Sequence, residues 1–407
     1  MTGVQTCALP IFLNNTVNYH KPTDKVTPAE RAHALFRTNR IRDGIPTLTE
    51  ILRENGYYQG ATHKLHVVPN EKFPYDEFLQ ATNGKTASGF LSRATETGKP
   101  WFLMYNIPNS HRPYPDSDKT PIRVKPDEVS IPAFLPDTPI VRKDWSEYLA
   151  AIEETDALVG EALAALRGSG QEERTIIVFL GDHGPTFQHG KMTLYDLGLR
   201  TPLIIRAPGI PGGHTTDALA SAVDLLPTLL DLIGMPPPKN SHGISLRPAL
   251  EQRPGASGRA FVFAEISNKG VLPNDGMQER SAFDGRWHLI YREKTETAWR
   301  QVNADSRFWK TWGNRTYDET VRMKDKFPEQ FRILAEMDPQ NLGGKVPALE
   351  LYDLQSDPDE MRDLADSALN RGELKRLYDA LRQWAKDTGD PAVRPPPNPP
   401  SPRAGRD

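Results

Sequence analysis

Leu180-Gly181-Asp182-His183-Gly184 is the sharpest chemical signal in the chain. It stands where an apolar, β-branched run, Thr175–Leu180, stops. In open α/β sheets ligands bind beyond the carboxyl ends of strands. Carboxylate oxygen and imidazole nitrogen are both competent metal donors, so Asp182 and His183 are candidate ligands. The same residues also suit a surface turn in which Asp182 caps the next segment, and by themselves they leave both readings open. Eight residues beyond His183 comes Lys191, in His189-Gly-Lys-Met-Thr-Leu-Tyr195. A lysine returning toward such a site can hold sulfate or phosphate oxygens as a point charge, although most lysines are solvated surface groups. Two further clusters each follow a strand-like stretch: His63-Lys64-Leu65-His66 and Asn109-Ser110-His111-Arg112. Lys64 and His66, two apart, share one side if that segment is extended. Each cluster is weak alone, but the ends of neighbouring parallel strands converge on one face, where the three could meet.

The elements that would bring them together are legible in part. Thr47-Leu-Thr-Glu50 is a capping box opening a short helix that Gly56 closes. Tyr57–Thr62, Pro100–Tyr105, Thr175–Leu180 and Pro202–Arg206 read as strands, the third as one covered on both faces. Leu149, Ile152, Val159, Leu163 and Leu166 recur at helical spacing, ended by Gly168 and Gly170, and a further helix spans Leu225–Ile233. This alternation predicts an α/β fold, a mostly parallel sheet flanked by helices. Beyond about Gly255 the texture changes. Strands over Phe261–Ile266 and Trp287–Tyr291 and a final amphipathic helix marked by Leu374, Leu377, Leu381 and Trp384 predict a smaller α+β subdomain. The expected layout is an α/β domain over 12–255, the subdomain over 256–392 and a proline-rich disordered tail over 393–407.

The 407 residues carry 50 basic and 53 acidic side chains, a net charge of −3 with no basic block, which argues against a nucleic-acid surface. No apolar run approaches the roughly 20 residues of a membrane span. The sole cysteine, Cys7, lies in Met1–Ile11, which shows no periodicity and matches a sequencing adapter read through in frame. These residues are expected to be an artefact, with the genuine chain beginning near Phe12.

In order along the chain, these motifs resemble the sulfatase family of the alkaline-phosphatase superfamily. Glu54-Asn-Gly-Tyr57 with His63-Lys64-Leu65-His66 resembles its helix end and Gly-Lys-x-His strand end. Asn109-Ser110-His111 resembles its Pro-His motif, with Ser110 replacing the proline. Asp182-His183-Gly184 resembles its metal motif, and Lys191, Leu194-Tyr195 and Arg200-Thr-Pro202 resemble the stretch after it. Val223–Thr228, His242–Leu246 and Leu351–Pro358 resemble structural landmarks, so the likeness covers roughly residues 13–392. Ile131–Pro139 and Gln383–Pro391 are most similar to the sulfamidase (N-sulfoglucosamine sulfohydrolase) branch.

The resemblance implies a hydrolase that takes sulfate from a sulfated carbohydrate, working in the periplasm or outside the cell. Its nucleophile would be a formylglycine held by a divalent cation, usually calcium. Asp182 and His183 would be metal ligands, and Lys64 and Lys191 would hold the sulfate. His66 would assist turnover of the nucleophile, and His111 would lie near the leaving group. The family's Cys/Ser-x-Pro-Ser-Arg motif and its two N-terminal aspartates are absent from the 407 residues. The chain is therefore expected to give no sulfatase turnover, and multiple turnovers of sulfate release by Phe12–Asp407 would contradict this. A phosphodiesterase or phosphonate hydrolase of the same superfamily and a non-catalytic glycan-binding homologue are the alternatives.

Overall fold

A computed structural model describes residues 44–63, 70–191, 193–239, 241–256, 258–267, 278–293, 315–338 and 342–390, with single positions 41, 295 and 393. Met1–Ile11, Lys64, His66 and the tail from Arg394 lie outside them.

Helix α1 (Leu48–Glu54) begins at the expected capping box: Glu50 N–H donates to Thr47 Oγ1 and Thr47 N–H to the Glu50 carboxylate. Gly56 leaves the helix at φ 79°, a left-handed conformation that favours glycine. Strand β1 (Tyr58–Thr62) comes next, pairing in parallel with β2 (Glu77–Leu79) on one side and β3 (Trp101–Met104) on the other. Helix α2 (Gly84–Glu96) covers this sheet. Its Phe90 is fully buried between Tyr58 and Trp101, where Gly60 leaves room for the ring. The long helix α3 (Pro139–Gly168) packs Leu166 into the same cluster and ends before Gly170.

Strand β4 (Ile177–Leu180) pairs with β5 (Leu203–Arg206) in the antiparallel sense, unlike the all-parallel texture of β1–β3. The link between them, which holds the four-residue helix α4 (Asp196–Leu199), folds back on itself past the end of β4: Gly184 N–H meets Gly198 O and Gly181 N–H meets Pro202 O, so β5 starts where β4 ends. Nor is β4 covered on both faces as expected, since Leu180 is 45% exposed and its neighbour Ile204 63%. β4 nonetheless runs in the same direction as β3. Trp101 Nε1 donates to Gln171 Oε1 (2.8 Å) at their starting ends, and the loops beyond their far ends meet at His111 and Lys191.

Helices α5 (Leu225–Leu232) and α6 (Arg247–Leu250) lead to the antiparallel sheet β6-β7-β8-β9: Val262–Ser267, Gln278–Phe283, Trp287–Arg292 and Leu349–Asp353. Helix α9 (Arg371–Thr388) lays Leu377 and Leu381 on this sheet. Between β8 and β9, α7 (Arg315–Arg322) packs on α3, and α8 (Pro328–Met337) adds Ile333 and Met337 to a core shared with Phe134, Val141 and Phe187. Among the described residues no helix is long and apolar enough to cross a membrane.

Candidate active site

The carboxyl ends of β1 and β3 are tied together by one side chain. Asn106, just past β3, donates its backbone N–H to Thr62 Oγ1 (2.7 Å) and its Nδ2 to Thr62 O (3.0 Å). His63 then takes a left-handed turn (φ 55°) with its N–H on Leu79 O. Lys64 and His66 come directly after it, outside the described residues, so only their point of departure is on this face.

His111 lies on the loop after β3, and Lys191, 5% exposed, on the loop after β4. The chain brings them together: Lys191 Nζ is 3.2 Å from His111 Nε2. His111 Nδ1 is 2.5 Å from the Arg112 carbonyl, which can only accept, so Nδ1 carries the hydrogen. Nε2 then presents its lone pair to the Lys191 ammonium, an arrangement that keeps a cation aimed from the two strand ends into one place.

Asp182 and His183 start the same loop. Asp182 Oδ1 accepts the His183 backbone N–H (3.0 Å), and Asp182 Oδ2 is 3.4 Å from His183 Nε2. His183 Nδ1 is 2.8 Å from Gly184 O, which fixes the hydrogen on Nδ1 and the lone pair on Nε2, as in metal-ligating histidines backed by a carbonyl. Two donors 3.4 Å apart match the span of adjacent ligands at roughly 2.3–2.5 Å from one divalent cation. The pair therefore fits a cation as one corner of its shell. Among the described residues no group of three or more histidine, cysteine or carboxylate side chains gathers to complete it.

Tight backbone packing shapes the loop Gly181–Leu199. Gly184 N–H donates to Gly198 O, and Lys191 N–H to Pro185 O (2.7 Å). A Cβ at Gly184 would overlap the Leu197 carbonyl, and one at Gly190 the Pro185 carbonyl. His189, buried with φ 56°, stacks on Tyr195 with ring centroids 3.7 Å apart. Glu360 accepts the first N–H of α4 from Asp196 (2.6 Å) and bonds His288 Nδ1 (2.6 Å), tying the end of this loop to β8.

Burial pulls the His189 pKa down to about 3, against a smaller upward pull from its bond to the Asp359 backbone. Between pH 6.5 and 3 the unfolded chain thus binds a proton that the folded chain refuses, so this contribution to stability is whole above pH 6.5 and shrinks as pH falls. From pH 7 to 5 the loss amounts to about 2 kcal/mol. Asp363, pushed up to about 6 mainly by burial, acts in the opposite sense over pH 6 to 4. His189→Asn, which tolerates the left-handed backbone, should remove its share: urea melts at pH 7 and 5 should differ by about 2 kcal/mol less than in the wild type. Equal pH dependence in the two proteins would show that His189 contributes none of it.

Sequence reasoning singled out His111, Asp182, His183 and Lys191 but gave no role to Arg112, Asp144 or His189. Arg112 had a signal in standing next to His111; Asp144 lies 32 residues further on with none.

A short parallel sheet with helical cover thus has His111 and Lys191 in contact past its strand ends, and the loop that carries Lys191 opens with Asp182-His183. The family model "Sulfatase" matches residues 75–235, and "N-sulphoglucosamine sulphohydrolase, C-terminal" matches residues 181–302. Together the two matches run from residue 75 to residue 302 and make the chain similar to the sulfatase family over that stretch. An ulvan-active sulfatase from Formosa agariphila is 29% identical over 310 residues, 75% of this chain but 48% of that protein, so the chain spans about half its length. The human N-sulphoglucosamine sulphohydrolase is 28% identical over 399 residues, covering 86% of this chain and 76% of that protein. Among solved structures, a 2-O GAG sulfatase covers 96% of this chain and 83% of its own (TM-score 0.58, 17% identity). The phosphonate monoester hydrolase of Agrobacterium radiobacter covers 95% and 92% (TM-score 0.60, 17% identity). These likenesses establish the alkaline-phosphatase-like fold.

Proposed function

We propose that this chain is the body of a sulfatase that removes sulfate from a sulfated sugar of the N-sulfoglucosamine or O-sulfated glycan class, in the periplasm or outside the cell. The observation that carries the reading is the Lys191–His111 contact, which sets a buried ammonium at the meeting point of two strand-end loops, one of which opens with Asp182-His183. Lys191, joined by Lys64 from the end of β1, holds sulfate oxygens and offsets the charge that grows on them during transfer. A sulfate oxygen competes with His111 Nε2 for Lys191. Nε2, released from Lys191, can take a proton from solvent and give it to the leaving group, while Lys191 keeps its charge on the sulfate. His66 assists at the nucleophile. Asp182 Oδ2 and His183 Nε2 hold one side of a divalent cation, taken to be calcium, which when bound would supply Lewis-acid polarisation of the sulfate and of a formylglycine nucleophile.

The cation half of this reading has its own test. Calcium at millimolar concentration should raise the melting temperature of the 407-residue chain by about 2 °C or more, through binding to the folded state. Asp182→Ala should abolish the rise while leaving the calcium-free melting temperature within about 2 °C, because its side chain is 64% exposed. A calcium shift that survives in Asp182→Ala would place the cation elsewhere.

A second reading is a phosphonate monoester hydrolase, favoured by the fold likeness to that enzyme of Agrobacterium radiobacter. The two readings share the fold and differ in the anion preferred.

A further inference from the structure

His111 owes its geometry to buried groups that take no part in the chemistry proposed above. Its Nδ1 hydrogen rests on the main-chain carbonyl of Arg112, so wherever Arg112 is held, His111 is held. The Arg112 side chain is 3% exposed and meets Asp144, 1% exposed, through two parallel bonds: Nη1 to Oδ1 at 2.8 Å and Nη2 to Oδ2 at 2.6 Å. Its guanidinium lies 4.3 Å from the Tyr114 ring centroid and 4.9 Å from that of Phe187, one ring from each of the two loops. Thr316 Oγ1, from α7, donates to Asp144 Oδ2 at 2.6 Å.

The next turn of α3 repeats the device. Glu147, also 1% exposed, accepts from Ser117 backbone N–H (3.0 Å) and Ser117 Oγ (2.8 Å), and pairs with Arg315 Nη2 (3.1 Å). The loop Arg112–Ser117 is thus stapled to α3 at two buried carboxylates three residues apart, each backed by a residue of α7. A buried ion pair often contributes little net stability compared with apolar groups of the same shape. What a bidentate arginine–carboxylate pair supplies in full is direction, because both bonds must be satisfied in one plane.

We propose that Asp144, acting through Arg112, is the positioning residue that sets His111 against Lys191, with Thr316 fixing Asp144 in turn. This rests on the reading of His111 and Lys191 as site residues. It makes helix α7, 172 residues beyond Asp144, a support of the site rather than an appendage of the β6–β9 sheet.

The test uses the whole 407-residue chain with isotope-labelled histidine, and it reads the imidazole titration of His111 by NMR, assigned through His111→Gln. In Asp144→Asn, which keeps the shape of Asp144 but not its charge, the His111 midpoint should move by at least half a pH unit. Affinity for N-sulfoglucosamine, measured by calorimetry with calcium, should fall about five-fold or more. A role confined to stability would lower the melting temperature and leave the His111 midpoint where it was; that result, in a folded variant, overturns the proposal. Should Asp144→Asn not fold, Thr316→Val, which removes one bond to Asp144, replaces it: a shifted His111 midpoint supports the proposal and an unshifted one overturns it. The titration needs no ligand. A chain that binds no sulfated sugar yet shows the shift keeps the positioning role and loses the sulfatase reading, whereas sugar binding with no shift does the reverse.

Discussion

Gly184→Ala should destabilise the folded chain by about 3 kcal/mol or more, and Gly190→Ala by a similar amount. In each case the added methyl meets a main-chain carbonyl, Leu197 O or Pro185 O, which cannot rotate aside as a side chain would. The carbonyls belong to the same loop, so relief requires unwinding the turn that carries Lys191. Gly160→Ala is the control: it lies inside α3, where a Cβ meets nothing within 4 Å, and alanine there should stabilise by up to about 1 kcal/mol. Urea unfolding of the three variants reads all of this at once. Loss at 184 and 190 with gain at 160 is the expected pattern; near-neutral values at 184 and 190 would mean that the loop has slack and does not hold Lys191 rigidly.

Lys191→Ala carries the second large effect. A hydrogen bond between charged partners contributes about 1.5–3 kcal/mol, so the variant should bind N-sulfoglucosamine roughly 10- to 150-fold more weakly. Lys191→Arg keeps the charge but not the compact head that fits between the loop and His111, and should recover only part of the affinity. Calorimetric titrations of the three proteins, at one calcium concentration, decide it. Equal affinities would remove Lys191 from the anion site.

The parts legible in the sequence are those whose cause is local. The capping box at Thr47 and Glu50, the left-handed exit at Gly56, and the polar clusters beyond apolar strands all depend on residues a few positions apart. What the sequence concealed depends on distant partners. Asp144 and Glu147 look like solvent-facing acids of a long helix, yet Arg112 and Thr316 bury Asp144 from 32 and 172 residues away. Strand β7 reads Gln-Glu-Arg-Ser-Ala-Phe, too charged for a central strand, and it forms because Arg292 pairs Glu279 from β8 at 2.6 Å while Arg280 reaches Glu265 on β6 at 3.3 Å. The antiparallel sense of β5 was equally hidden: a four-residue helix in a glycine-rich loop gives no periodicity from which to read the return of the chain.

The most direct test of the central claim is a head-to-head calorimetric titration of the 407-residue chain, with calcium, against N-sulfoglucosamine and against a phenyl phosphonate monoester. The sulfatase reading predicts that the sulfated sugar binds at least ten-fold more tightly and that Lys191→Ala abolishes the difference. Preference for the phosphonate, retained on that substitution, would contradict it.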